Sequence, residues 1–330
     1  MFRISFALFF FIFFAACNSE ESKPDVSGIK VEIQLKRFEE RFFGVDTNNI
    51  AAGLQGTRQE FPEFYPVFTQ EFIGEDESNI KAFIQYHRFL YDSLKKKYTD
   101  FNWMKKELDD NLRYVKHYYP AYKIPSFFTY IGPFNSPGIA VLQNSIGIGL
   151  HQYGGKNFSV YSTPEIVEMY PYYISRRFDK EYMLPNIMKG IISGIYAEQS
   201  GGRPLIEQMI EKGKEWFLLD KFLPDSHDSV KTGYTTDQLK WTEANEGNIW
   251  AQLIETEDIY SIDPTVIQRY IGPAPFTQGF QQEASPGNLG QWIGWQIVQK
   301  FAGKNPDLSL DQIVKTPAKV IYNEAKYKPR

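Results

Sequence analysis

Residues 285–301 read SPGNLGQWIGWQIVQKF. Leu289, Trp292, Ile293, Ile297 and Phe301 recur at spacings of three and four, so they share one stripe of a helix. Gly287, Gly290 and Gly294 sit within the same run. Glycine is a poor helix former, so the three together predict close packing against another element. The segment therefore reads as a buried helix pressed onto a neighbour.

Working backwards, the helical pattern extends to Thr163, which precedes Pro164 at a first helical position. A helix is expected from about Pro185 through Ile187, Ile191, Ile192 and Ile195. Pro204 opens the next, which carries Leu205, Met209, Trp216 and Leu219. Thr235 and Gln238 have capping-box spacing ahead of Leu239, Trp241, Ile249 and Leu253.

The N-terminal half is mixed. Ile29, Val31, Ile33 and Leu35 alternate with Lys30, Glu32, Gln34 and Lys36, the period of a half-buried strand. Ser78 is placed to cap a helix with Ile80, Phe83, Ile84, His87, Tyr91 and Leu94 on one face. A second helix carries Met104, Leu108, Leu112, Val115 and Tyr119 and stops at Pro120. Strands are expected over residues 126–131, 139–143 and 146–153. Glycines in the last predict an edge or irregular strand. No repeat or internal linker divides the body. The fold class is α+β: a predominantly helical single domain over residues 29–330 with a small β-sheet.

The chain has 330 residues, 42% of them hydrophobic and 23% charged, enough to bury a substantial core. A formal net charge of −4 argues against a nucleic-acid partner. Cys17 is the single cysteine, which excludes an intrachain disulfide or a cysteine-based metal cluster.

Residues 1–16, MFRISFALFFFIFFAA, begin with Arg3 in a positive n-region and continue as an apolar run. Roughly 20 residues are needed to span a bilayer, and this run is shorter. Ala15 and Ala16 immediately precede Cys17. This is the arrangement of a bacterial lipoprotein signal peptide, with cleavage before a lipidated Cys17, although Phe14 stands where leucine is commoner. Several acyl chains on one residue anchor a protein stably. Residues 17–28, CNSEESKPDVSG, are polar and are expected to form a flexible tether. The expected location is the outer membrane, with the leaflet open.

The chain carries few motifs that point to chemistry. His87, His117, His151 and His227 are dispersed, and no HExxH occurs. No catalytic residue, metal ligand or cofactor is assigned. Residues 147–157, GIGLHQYGGKN, miss the phosphate-loop spacing: Leu150 stands where glycine is required and Asn157 where serine or threonine is required. Ser145 and Ser193 lack the flanking glycines of a nucleophile elbow. His87 reads as a core histidine. His151 lies beside Tyr153 and Gly154, with Tyr161 further on. His151, Tyr153 and Tyr161 are the candidate interaction patch, provided that the tyrosines are exposed.

Several segments together resemble the gliding-motility lipoprotein B (GldB) family of Bacteroidota. They are IKVEIQLKRFEERFF (29–43), VKHYYPAYKIP (115–125), IGIGLHQYGG (146–155), IEQMIEKGK (206–214) and LPDSHDSVKTGYT (223–235). YSIDPTVIQRYIGPAPF (260–276), SPGNLGQWIGWQIV (285–298) and KYKP (326–329) complete the set. The resemblance implies a lipoprotein required for gliding, tied to the type IX secretion system, with protein partners in that machinery. It carries over no catalytic residues.

A fainter likeness, to zincin-type metallopeptidases, implies a degenerate scaffold. In that register residues 184–196 take the place of the HExxH helix. Lys189 and Ser193 replace the histidines, Gly190 replaces the general base, and Glu211 is the candidate mimic of a third ligand, although a surface carboxylate is the simpler reading of it. Three functions compete: a non-enzymatic motility lipoprotein, a glycan- or peptide-binding lipoprotein, and a cryptic envelope peptidase.

Overall fold

In a computed structural model, which describes residues 23–256 and 258–329, four short strands form one sheet. They are β1 (Leu35–Arg37), β2 (Ser126–Tyr130), β3 (Ile139–Val141) and β4 (Ser145–Gly149), in the order β1-β2-β4-β3. β2 runs parallel to β1 and β4, and β3 is antiparallel to β4. The segment expected to be a signal peptide, and Cys17, lie outside the described residues.

The alternation expected from Ile29 is present as burial, with Ile29, Val31, Ile33 and Leu35 half-buried and their neighbours exposed. Ladder pairing is confined to Leu35–Arg37. The partner strand starts only at Ser126, after Pro125, which has no N–H to donate. The expectation for β4 is corrected. It lies inside the sheet, between β2 and β3, and every residue of it is buried. Its glycines answer a neighbour rather than an edge: a Cβ on Gly147 would stand 2.6 Å from the Phe128 ring.

The two faces of the sheet are covered differently. On one, Phe128 and Tyr130 meet an aromatic cluster built by helix α1 (Phe38–Phe43) and the segment after it. Phe64 stands 4.4 Å from Phe128 and 4.9 Å from Phe38, ring centre to ring centre. Such pairs each add about 0.5–1.5 kcal/mol beyond the area they bury. On the other face lies a helix described below, whose Gly190 abuts Val141, Ile139 and Ile146.

The single helix expected from Ser78 to Leu94 is two helices. α2 (Glu77–Tyr86) starts after extended Asp76, so Ser78 is inside it and caps nothing. α3 (Arg88–Lys97) follows a break at His87. The His87 ring lies on Phe83 at 4.0 Å, and its Nδ1 reaches the Phe83 carbonyl oxygen at 3.1 Å, a local bond that competes with continuing the helix. α4 (Asn102–Tyr118) buries Met104, Leu108, Leu112 and Val115 and ends just before Pro120.

The second half is helical. α5 (Met183–Ile195) lies on the sheet. α6 (Leu205–Phe222) is buried on nearly every side, the mark of a central helix. α7 (Thr236–Ala244) has the capping box: Gln238 N–H donates to Thr235 Oγ1 at 3.1 Å and Thr235 N–H to Gln238 Oε1 at 3.0 Å. Ile249 and Leu253 belong to a separate helix, Glu246–Glu255. α8 (Pro264–Ile271), α9 (Leu289–Lys304) and α10 (Ala318–Ala325) close the chain.

α9 is the helix of residues 285–301, and it lies across α6 in the largest helix–helix contact of the fold. Each glycine singled out in it sits at a close approach. Gly294 abuts the Met209 carbonyl of α6, Gly290 the Tyr270 carbonyl of α8, and Gly287 the Ala274 carbonyl. Helices usually pack 8–10 Å apart, and removing Cβ at the crossing lets two backbones touch. The protein is thus a predominantly helical α+β domain with a small open sheet.

Residues 23–28 lie against this body. Val26 is buried, Lys23 forms an ion pair with Asp225, and Pro24 walls a cavity with His227. The expected tether is therefore docked from residue 23 onward.

Candidate functional site

The patch expected at His151, Tyr153 and Tyr161 does not exist as a surface. Their exposures are 0%, 2% and 4%. After β4 the chain makes a 3-10 turn, Leu150–Gln152, and folds back over the end of the sheet. The three side chains pin that turn. The Tyr161 hydroxyl donates to the His151 carbonyl at 2.8 Å and accepts from Gly154 N–H at 2.7 Å. Asn186 Nδ2 donates to the Tyr153 hydroxyl at 3.0 Å. Gly132 N–H donates to His151 Nδ1 at 3.2 Å, while Ser136 lies 3.2 Å from Nε2. Burial pushes the His151 pKa down to about 4, so the ring is neutral at pH 7. These are structural residues.

Glu211 also departs from the surface position expected of it. It is 4% exposed. Its carboxylate accepts from Lys214 Nζ at 2.7 Å, from the Tyr196 hydroxyl and from Gln199 N–H at 3.2 Å. Burial pushes the Lys214 pKa down, and Glu211 opposes that shift. The pair is a satisfied internal ion pair within α6, and Tyr196 ties it to the end of α5.

Lys189 and Ser193 do share a cavity, of about 360 Å³, with Tyr196, Glu198, Lys212, Glu215 and Trp216. Glu215, one turn beyond Glu211, is the α6 carboxylate that faces it. Lys212 Nζ binds Glu198 and lies 3.4 Å from Glu215, so that cation answers both carboxylates. Among the described residues no three histidine, cysteine or carboxylate side chains gather as a metal site.

A second lobe, of about 230 Å³, joins the first at Lys189, Trp216 and Gln291. Its charged residues are Arg176, Arg177 and Lys189, and no carboxylate lines it. Arg176 donates to the Gly233 carbonyl. None of the three cations makes a salt bridge among the described residues. Lys189 reaches water through the recess although protein surrounds it. Burial, reinforced by Arg177 and opposed by Glu215, pushes its pKa down to about 8. Burial and Arg176 likewise push Arg177 down.

A larger cavity, of about 840 Å³, lies where the described chain begins, beneath Pro24 and Val26. Its walls carry Asp25, Glu107, Asp110, Asp179, Glu181 and Asp225 against Arg113 and Lys180, so acidic residues predominate.

The sequence pointed to Lys189 and Ser193 only as misfits in a metal motif. It gave no signal joining them to Arg176, Arg177 and Trp216, which come from a loop and a different helix. An adjacent arginine pair at residues 176–177 was the sole local cue.

Residues 19–329 match the family model described as gliding motility protein GldB. No curated protein and no solved structure matches the chain. Since the match covers nearly the whole sequence, the chain belongs to the GldB family and is a gliding-motility lipoprotein, a membrane-anchored protein of the cell envelope.

Proposed function

We propose that this gliding-motility lipoprotein is a non-catalytic component of the envelope that supports the gliding and type IX secretion apparatus through protein contacts. Lipid on Cys17 holds it at the outer membrane. The observation carrying this reading is the position of the family match, which starts at residue 19, two positions after a cysteine preceded by an apolar run. The matched body and the lipidation sequence are thus contiguous. Anchoring raises the local concentration of the body near membrane-bound partners without any new contact.

The test is colony spreading of a deletion strain complemented with wild-type protein or with Cys17→Ala. Loss of spreading on deletion, restored only by the wild type, is the expected result. Normal spreading of the deletion strain removes the motility role for this chain.

A second reading, a ligand-binding lipoprotein, draws support from the two-lobed recess with Trp216 at its junction. Peptide or glycan binding by the purified protein, with spreading unaffected by deletion, would favour it.

A further inference from the structure

Three positive side chains facing one small volume repel one another. Like charges close together in a partly desolvated site repel more strongly than in water, and a neighbouring carboxylate normally relieves this. Elsewhere among the described residues such relief is common: Lys212, Lys214 and Lys231 are each paired with carboxylates. Arg176, Arg177 and Lys189 form no such ion pair: Glu215 acts on Lys189 only from the adjoining lobe, and the lobe that the three cations share holds no acidic residue.

A separate feature points the same way. Asn288 and Gln291, the cap and third residue of α9, line this lobe too. The 16-residue α9 therefore starts at its wall. Leu289 N–H donates to Thr277 Oγ1 at 3.4 Å and Gln291 N–H to the Asn288 carbonyl at 2.9 Å, so what the helix start brings to the lobe is the positive end of its dipole, which favours an anion. Asn288 is held in the left-handed region, φ 51°, and its side chain does not cap the helix. Gln291 Nε2 is committed to the Ile271 carbonyl at 2.6 Å, which fixes that side of the wall.

The adjoining lobe has a different character. Trp216, Ile192, Leu219, Ala197 and Tyr196 give it apolar walls, and its two carboxylates are answered by Lys212. Arginine forks suit the planar or tetrahedral oxygens of carboxylate and phosphate.

We infer that the recess between Arg176, Arg177, Lys189 and the start of α9 binds the carboxylate or phosphate of a compact ligand, whose apolar body lies beside Trp216 in the adjoining lobe. This assignment is independent of the motility reading.

The test uses the purified mature lipoprotein in non-ionic detergent, titrated calorimetrically with N-acetylphenylalanine, its uncharged amide, phenyl phosphate and inorganic phosphate. The acid or phenyl phosphate should bind, and the amide should bind at least about tenfold more weakly, as expected when a charge-assisted contact is lost. The stronger of the two organic anions identifies the head group. Inorganic phosphate weaker than phenyl phosphate supports the apolar half of the site. Lys189→Met and Arg177→Gln should each weaken binding by about tenfold or more while the thermal transition stays in place. Lys189 contacts water, so its replacement guards against misfolding of the arginine variant. No binding by either organic anion, equal binding of acid and amide, or unchanged affinity in both variants overturns the assignment.

Discussion

Gly213 of α6 and Gly294 of α9 meet backbone to backbone. A Cβ on Gly213 would overlap the Gly294 carbonyl, and one on Gly294 would overlap the Met209 carbonyl. Neither obstacle is the tip of a flexible side chain, so neither can swing away. Gly294→Ala must push the two central helices apart and loosen Ile293, Ile297 and Val298, all fully buried. Overpacking a tight core typically costs about 1–3 kcal/mol, and this site belongs at the upper end. Urea unfolding should show a lower midpoint. Gly303→Ala, where a Cβ meets open space, should leave it unchanged or raise it.

The Glu211–Lys214 pair gives a second expectation. Replacing Glu211 with leucine leaves a buried ammonium without its carboxylate, which should cost about 3–5 kcal/mol. Adding Lys214→Met removes the orphaned charge and should recover much of that loss. Equilibrium unfolding of the two single variants and the double variant forms the cycle. Strict additivity of the two losses would show that the charges do not interact.

Stability should fall with acid through His151. The folded-state pKa is depressed to about 4, below the ordinary value of 6.5, so the unfolded chain takes up the proton first. The stabilisation is complete above about pH 6.5 and is lost as pH falls from there towards about 4, the folded-state value. The span corresponds to at most about 3 kcal/mol. His87, also pushed down by burial, contributes with the same sign. Melting curves from pH 7.5 to 4.5 should show the decline, and His151→Gln should flatten it in part. An equally steep decline in the variant would exclude His151 as a source.

Lipidation is a direct chemical expectation of the N-terminal sequence. Cells fed an alkyne-bearing palmitate analogue should label the wild-type protein, and Cys17→Ala should abolish the label and release the protein from the membrane fraction. Labelling that survives the substitution would mean that Cys17, the sole thiol of the chain, is not the acceptor.

Much of the architecture was legible because it rests on local periodicity. The α4 face, the α6 start after Pro204, the α7 capping box and the glycines of α9 follow from spacings and propensities within a few turns of chain. The β4 position was not legible. A glycine at a sheet edge and a glycine beneath a crossing phenylalanine look alike until the neighbouring strand is known. The aromatic patch failed for a related reason, since Tyr153 and Tyr161 have no helical or strand period to mark an inward face. The recess is still less local: residues 176, 177, 189, 216 and 291 meet only through the tertiary fold.

The docking of residues 23–28 sets a limit on distance. Six chain steps lead from Cys17 to Lys23, which is ion-paired to Asp225 on the body. A fully stretched chain advances no more than about 3.6 Å per residue, so this leash reaches roughly 20 Å. With lipid on Cys17, the Asp225 corner cannot drift further than that from the bilayer surface. The body would then ride low and turn one fixed pole towards the lipid.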